Sequence, residues 1–395
     1  MNSAVMTTYA PSDIAFERGE GVYMYTGDGR RILDFGSGIA VTSLGHGHPH
    51  LLAAIHAQVD KVLHYSNLYT IPEQERMAQR LVDNSFASSV FFCNSGAEAV
   101  ECGLKLVRRY QVEAGHPEKN RIITCSGSFH GRTLATISAA KQEKHMQGFS
   151  PMPDGFDQVP FGNINEMRAA ITDATAGILV EPIQGEGGIQ YAEPDYLQRL
   201  RATADEFGLL LFFDEVQTGV GRTGKLFAYE WSGMEPDVVS LAKGLGGGFP
   251  VGACLANERA STGMAPGSHG STFGGNPVAM AAANAVLDVI LEDGFLGHVR
   301  EMGDYLKERL TGLAAKHPKI LKDVRGEGLL TGIACHATNL DLVKAMEAEN
   351  VLVIPAADNV VRFIPPLIVQ KNEIDEAVAA FDKVCGGAEA PKEAP

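Results

Sequence analysis

Lys243 ends a short apolar run, Val238-Val239-Ser240-Leu241-Ala242, and is followed by Gly244-Leu245-Gly246-Gly247-Gly248. Glycines there let the backbone turn sharply and let another molecule come close. A lysine at the mouth of an apolar pocket is costly to keep charged, so its pKa falls and its amine becomes a nucleophile toward carbonyls. A lone lysine beside glycines is ordinarily a solvated loop residue, so the reading depends on its company. Asp214 closes the apolar run Leu209-Leu210-Leu211-Phe212-Phe213, and a buried carboxylate needs a cationic partner. Ser95-Gly96-Ala97-Glu98 has a capping-box pattern, and the exposed amides of such a helix start suit a phosphate.

Other patterns lead away from chemistry. Gly219-Val220-Gly221-Arg222-Thr223-Gly224-Lys225 has the spacing of a P-loop, but Leu226 stands where magnesium binding needs Ser or Thr. The glycines from 244 to 248 lack the dinucleotide order, and no helical pattern follows them. Gly45-His46-Gly47-His48-Pro49-His50 reads as a bend before a helix, with no fourth ligand for a metal, so no metal site is expected.

The elements that carry these residues form an alternating pattern. Strand-like Val90–Cys93 precedes a helical stretch with apolar positions Ala97, Val100, Leu104 and Val107. Arg121–Thr124, Gly177–Val180, Leu209–Phe213 and Val238–Leu241 are further apolar runs, each ending in polar residues, with helical stretches such as Asp195–Phe207 between them. This predicts an α/β domain with a mostly parallel sheet covered on both faces. In such sheets ligands sit at the carboxyl ends of the strands, where this chain keeps its polar residues. Val22–Tyr25 and Arg31–Phe35 flank the turn Thr26-Gly27-Asp28-Gly29-Arg30 and predict a hairpin. After a helical stretch at Val278–Leu291, mixed strands and helices to Ile364 predict a smaller α+β lobe. Residues 386–395 lack core-forming side chains and are expected to be disordered.

The formal net charge of −15 argues against nucleic-acid or anionic-membrane partners. No signal peptide or membrane-spanning run is evident, and the six scattered cysteines read as reduced and mostly buried. A cytoplasmic protein is expected.

Five segments in this order resemble those of class III, fold-type I, pyridoxal-phosphate aminotransferases: Asn94–Ala99, Phe129–Thr133, Glu181–Glu186, Phe213–Gln217 and Ser271–Pro277. The resemblance runs from Asp34 to Phe363. It implies a large domain (46–275) with a seven-stranded, mostly parallel sheet flanked by helices. A smaller α+β domain would come from residues 1–45 and 276–385.

The family's roles carry over to matching positions as follows. Lys243 would hold pyridoxal 5'-phosphate through its amine and then move a proton as general base and acid. Asp214 would face the pyridine nitrogen, with Glu215 and Val216 beside it, Gln217 on the ring hydroxyl and Phe129 against the ring. Gly96 and Ala97 would bind the phosphate, and Thr272 would reach it from the second subunit of a homodimer. Arg362 resembles the arginine that holds the α-carboxylate of glutamate and 2-oxoglutarate, and Glu186 the acid that pairs with it in the other half-reaction. Arg132, with Ser271 nearby, resembles the residue that takes the donor's carboxylate; planar guanidinium forks suit this task. The implied reaction moves the δ-amine of N2-acetylornithine to 2-oxoglutarate in arginine biosynthesis. Succinylated donors, free ornithine and 4-aminobutyrate are the alternatives. Ornithine-specific relatives carry a tyrosine before the Gly-His bend, and Ser37–Val41 has none, which favours an acylated donor. A non-catalytic, cofactor-binding regulator is the reading from another class; the acidic balance is against it.

Overall fold

A computed structural model describes residues 4–388. Its central sheet has seven strands, in the order Ser89–Cys93, Gly252–Ala256, Val238–Leu241, Leu210–Asp214, Thr175–Val180, Arg121–Cys125 and Phe156–Val159. Only Gly252–Ala256 runs antiparallel to its neighbours. The strands Thr175–Val180, Leu210–Asp214 and Val238–Leu241 are buried along their whole length, the signature of a sheet covered on both faces.

The period of two along each strand sorts side chains between two cores. Ile122, Leu179, Leu210, Phe212 and Val238 pack with Val100, Leu104 and Val107 of the helix Gly96–Glu113. Ile123, Ile178, Leu211, Phe213 and Val239 face the other way, with Leu197 and Leu200 of the helix Pro194–Phe207. The helix Pro277–Ile290 is buried on nearly every side; it starts with Pro277 and an Asn276 side chain that accepts from the Ala279 N–H.

The two ends of the chain meet in the smaller lobe. Tyr23–Thr26 and Arg31–Asp34 form the predicted hairpin, and Val351–Leu352 adds to Arg31–Asp34 in parallel. A second, antiparallel sheet holds Leu321–Glu327, Leu330–Cys335, Val360–Phe363 and Ile354–Ala356. The last helix, Lys371–Gly387, runs two residues into the stretch expected to be disordered, and 389–395 lie outside the described residues.

The dismissed motifs have structural occupations. Arg222, in the loop with P-loop spacing, is buried and donates to the carbonyls of Leu329 and Pro365, tying the two lobes together. His48 precedes the helix Pro49–Val59, while His46 pairs with Asp34 at 2.9 Å and His50 with Asp288 at 2.8 Å. Among the described residues no group of three or more His, Cys, Asp or Glu is arranged to hold a metal, and no helix is long and apolar enough to cross a membrane. All six cysteines are buried and unpaired.

Candidate active site

The carboxyl ends of the central strands open into a cavity of about 330 Å³. Lys243, Asp214, Val216, Gln217, Glu181, Glu186, Phe129, Gly96 and Ala97 all line it.

Lys243 begins a single tight turn, Lys243–Gly246, directly after the strand Val238–Leu241. Its backbone has φ of 44°, a left-handed conformation that L-residues adopt only when the surroundings impose it. The residue is half-buried and lines the cavity. Burial pushes its amine down to about 8; Glu186 resists and Arg362 adds to the shift.

Asp214 ends the strand Leu210–Asp214 and is held from three sides. One carboxylate oxygen takes the Val216 N–H at 3.0 Å and the Ser240 hydroxyl at 3.3 Å; the other meets His130 Nδ1 at 2.8 Å. His130 is buried and its Nε2 has no partner, so Nδ1–H donates to the carboxylate. Glu181 directly follows the neighbouring strand and accepts the Phe129 N–H at 2.8 Å.

At the third corner the helix Gly96–Glu113 begins with Ser95, whose hydroxyl accepts from the Glu98 N–H. The first amides of a helix have no intrahelical partners, and the positive end of the helix dipole lies there. Gly96 is required by close approach: a Cβ on it would lie 2.7 Å from Val216 Cγ1. The expected capping box is only half formed. Glu98 turns its carboxylate to the Asn94 N–H at 2.8 Å rather than to Ser95 N–H.

Arg362 lies behind this wall, fully buried, on the strand Val360–Phe363. Its Nη1 donates to Glu186 at 2.7 Å and to Gln217 at 3.1 Å, and its Nη2 to the Pro355 carbonyl at 3.0 Å. Burial works to raise Glu186, but the charge and hydrogen bond of Arg362 outweigh it and hold the carboxyl below its ordinary range. A carboxylate entering the cavity would find Arg362 already paired.

The family profile of class-III aminotransferases matches residues 5–385. The chain belongs to that family. The acetylornithine aminotransferase of Agrobacterium fabrum is 55% identical over 375 residues, 95% of this chain and 94% of that protein. Among solved structures, the N-acetylornithine aminotransferase of Stenotrophomonas maltophilia superposes with a TM-score of 0.84 at 33% identity, covering 95% of this chain and 96% of that one. The ornithine aminotransferase of Toxoplasma gondii, seen with partial occupancy of pyridoxal phosphate (PLP) at its active site, superposes with a TM-score of 0.92 at 30% identity, covering 97% and 92%.

This aminotransferase therefore works with PLP, and its cavity suits that group. It offers a neutralisable amine on Lys243, a hydrogen-bonded carboxylate on Asp214 and a helix start for a phosphate, with the Phe129 side chain at the wall. A chain whose cavity lacked the amine or the helix start would have no such fit.

Five of the expected site residues lie outside the lining. Glu215 turns away, accepting from the Ala228 N–H, the Tyr229 N–H and the Thr218 hydroxyl, and burial still pushes it up to about 7. It lies just past the end of the strand, where these three donors draw its carboxylate away from that of Asp214. Arg362 acts through Glu186 and Gln217. Ser271 accepts from Asn94, a lining residue, at 3.2 Å. Arg132 is exposed, 5.6 Å from the Phe129 ring, and Thr272 is exposed at the surface. Two residues not assigned from sequence, His130 and Glu181, join the site; Glu181 carries the same signal as Asp214, an acid directly after an apolar strand.

Proposed function

We propose that this aminotransferase converts N2-acetyl-L-ornithine and 2-oxoglutarate to N-acetyl-L-glutamate 5-semialdehyde and L-glutamate, a step of arginine biosynthesis. The observation that carries the reading is the Arg362–Glu186 pair at the cavity. The two substrates differ at the reacting carbon. In 2-oxoglutarate that carbon bears a carboxylate, which the guanidinium fork can take once Glu186 yields. In the δ-amine donor it bears none, and an unpaired buried guanidinium there would be costly. A carboxylate that closes the fork in one half-reaction and leaves it in the other meets both demands.

When bound, PLP supplies a sink for the electrons left as the substrate carbon loses its proton. The chain's own groups do the rest. Lys243 Nζ, its basicity lowered by burial, would take the proton from the amine-bearing carbon and deliver it to the reacting carbon of the cofactor, so that the amine passes from one to the other. Asp214, oriented by His130, Ser240 and the Val216 N–H, would keep a proton on the ring nitrogen. Gly96 and Ala97 would hold the phosphate, Phe129 and Val216 would line the place of the ring and Gln217 would serve the ring hydroxyl, as their positions around the cavity support. Arg132 would take the donor's carboxylate, a role its exposed guanidinium near the Phe129 ring supports, and Ser271 would assist.

The reading includes a homodimer in which Thr272 completes the partner's phosphate site, supported by its exposure on the protomer. It keeps a large domain of residues 46–275 and a small one of 1–45 and 276–385, supported by the pairing of Val351 with Leu33. A cytoplasmic setting is supported by six buried thiols.

The test is the visible spectrum of the purified holoenzyme, taken before and after adding N2-acetylornithine without any keto acid. The donor should bleach the yellow band, and 2-oxoglutarate should restore it. A yellow protein that only a succinylated donor or free ornithine bleaches would overturn the donor assignment and leave the family intact.

A further inference from the structure

Asp214 ends one strand and Glu181 follows directly on the parallel strand beside it, with Val180 in register with Phe213. Their carboxyl groups therefore lie side by side, both buried and both lining the same cavity. Two neighbouring carboxylates out of water cannot both stay ionised without strong compensation. The hydrogen bonds decide which of them holds the proton. Asp214 takes three donors, from His130, the Val216 N–H and the Ser240 hydroxyl. Glu181 takes one, from the Phe129 N–H, on Oε1.

Resting on the active-site reading above, we propose that Glu181 is protonated in the working enzyme and presents a neutral O–H to the cavity, leaving Asp214 as the ionised member of the pair. The charged groups around it agree. Burial, and then the charge of Asp214, push Glu181 well above the ordinary carboxylate range; the Phe129 N–H and Lys243 oppose this without reversing it, and Glu186 adds to it. Glu186 itself is occupied by Arg362. The consequence is a tuning role. A second anion beside Lys243 would favour its ammonium form and hold back the neutral amine that moves the proton. A protonated Glu181 has the shape and hydrogen bond of a carboxyl group without that effect.

Infrared difference spectra of the full-length holoenzyme, wild type against Glu181→Gln at neutral pH, test this directly. A protonated carboxyl band present in the wild type and missing in the variant is expected; loss of an ionised carboxylate band instead would overturn the proposal. Following that band with pH in the wild type needs no variant. A second readout uses the cofactor-stripped full chain, in which acylation of Lys243 is measured against pH. Glu181→Gln should leave the midpoint unmoved, whereas an ionised Glu181 would make it fall by ~1 unit in the variant. A holoenzyme that bleaches with donor but lacks the carboxyl band keeps the proposed function and loses this inference. A holoenzyme that shows the band but is not bleached by N2-acetylornithine does the reverse.

Discussion

Lys243 is a liability for folding as much as an instrument of catalysis. Its amine falls from 10.5 to about 8, so between those values the folded chain binds fewer protons than the unfolded one. Stability contributed at this site therefore rises with pH across that window, and below about 8 the whole penalty stands. Lys243→Met removes the penalty and keeps the length of the side chain. At neutral pH the cofactor-free variant should be more stable than cofactor-free wild type by about 2 kcal/mol, a figure reduced because the side chain opens on the cavity. Urea unfolding at several pH values measures this, and the advantage should shrink as pH rises toward the ordinary lysine range. Equal stability at pH 7 would mean the amine is solvated. Glu186→Gln acts at the same scale but on selectivity. It leaves Arg362 short of its charged partner, so the half-reaction whose reacting carbon has no carboxylate should suffer most. Its kcat/KM should fall ~10- to 100-fold, from the ~1.5–3 kcal/mol of a charged hydrogen bond. Single-turnover rates of each half-reaction check this; an equal fall in both would remove Glu186 as the selector.

At the scale of elements, the helix Gly96–Glu113 shows packing overruling local preference. Gly103 lies in mid-helix, where alanine would be favoured by ~1 kcal/mol. A Cβ there, however, would sit 2.2 Å from Cζ of Phe212, a fully buried ring on the strand beneath. Gly103→Ala should destabilise the protein by ~1–3 kcal/mol and lower Tm with or without cofactor. A raised Tm would show that the ring has room to move. This contact also marks what a sequence can convey. Strands such as Leu210–Asp214 were legible because burial on both faces requires an unbroken apolar run, and the polar residue closing each run marks the cavity end. The hydrogen bond from His130 to Asp214 was not legible, since it joins residues 84 apart along the chain. Nor was the run Ser37–Ala40, all with positive φ although only Gly38 is a glycine. Asp34 holds that turn by accepting the Gly36 and Ser37 N–H groups, a tertiary arrangement with no periodicity to betray it. Glu215 failed in the other sense: an acid beside Asp214 invites a shared role, but its carboxylate secures the segment Ala228–Trp231 instead.

At the scale of the whole molecule, the protomer exposes an apolar surface that the proposed homodimer would cover. Leu68 is 86% exposed, Tyr69 69% and Leu63 60%, beside Phe273 at 60%. The two stretches form one surface: Asn67 donates to the carbonyls of Ser271 and Gly274, and His64 meets the Phe273 ring with centroids 5.1 Å apart. Thr272 lies within this surface. A patch of this kind is characteristic of an interface, and a two-fold dimer would use it twice. In the proposed dimer, cofactor retention therefore depends on assembly, because the residue that completes each phosphate site belongs to the partner. Leu68→Glu places two like charges in the apolar contact by symmetry. It should shift the protein toward monomer in light scattering while leaving its circular dichroism unchanged, and PLP should dissociate faster from the monomer. Thr272→Ala should speed PLP loss without dissociating the dimer, which separates the two effects. A Leu68→Glu variant that stays dimeric would place the interface elsewhere, and a monomer that holds PLP as tightly as wild type would show that each protomer completes its own phosphate site.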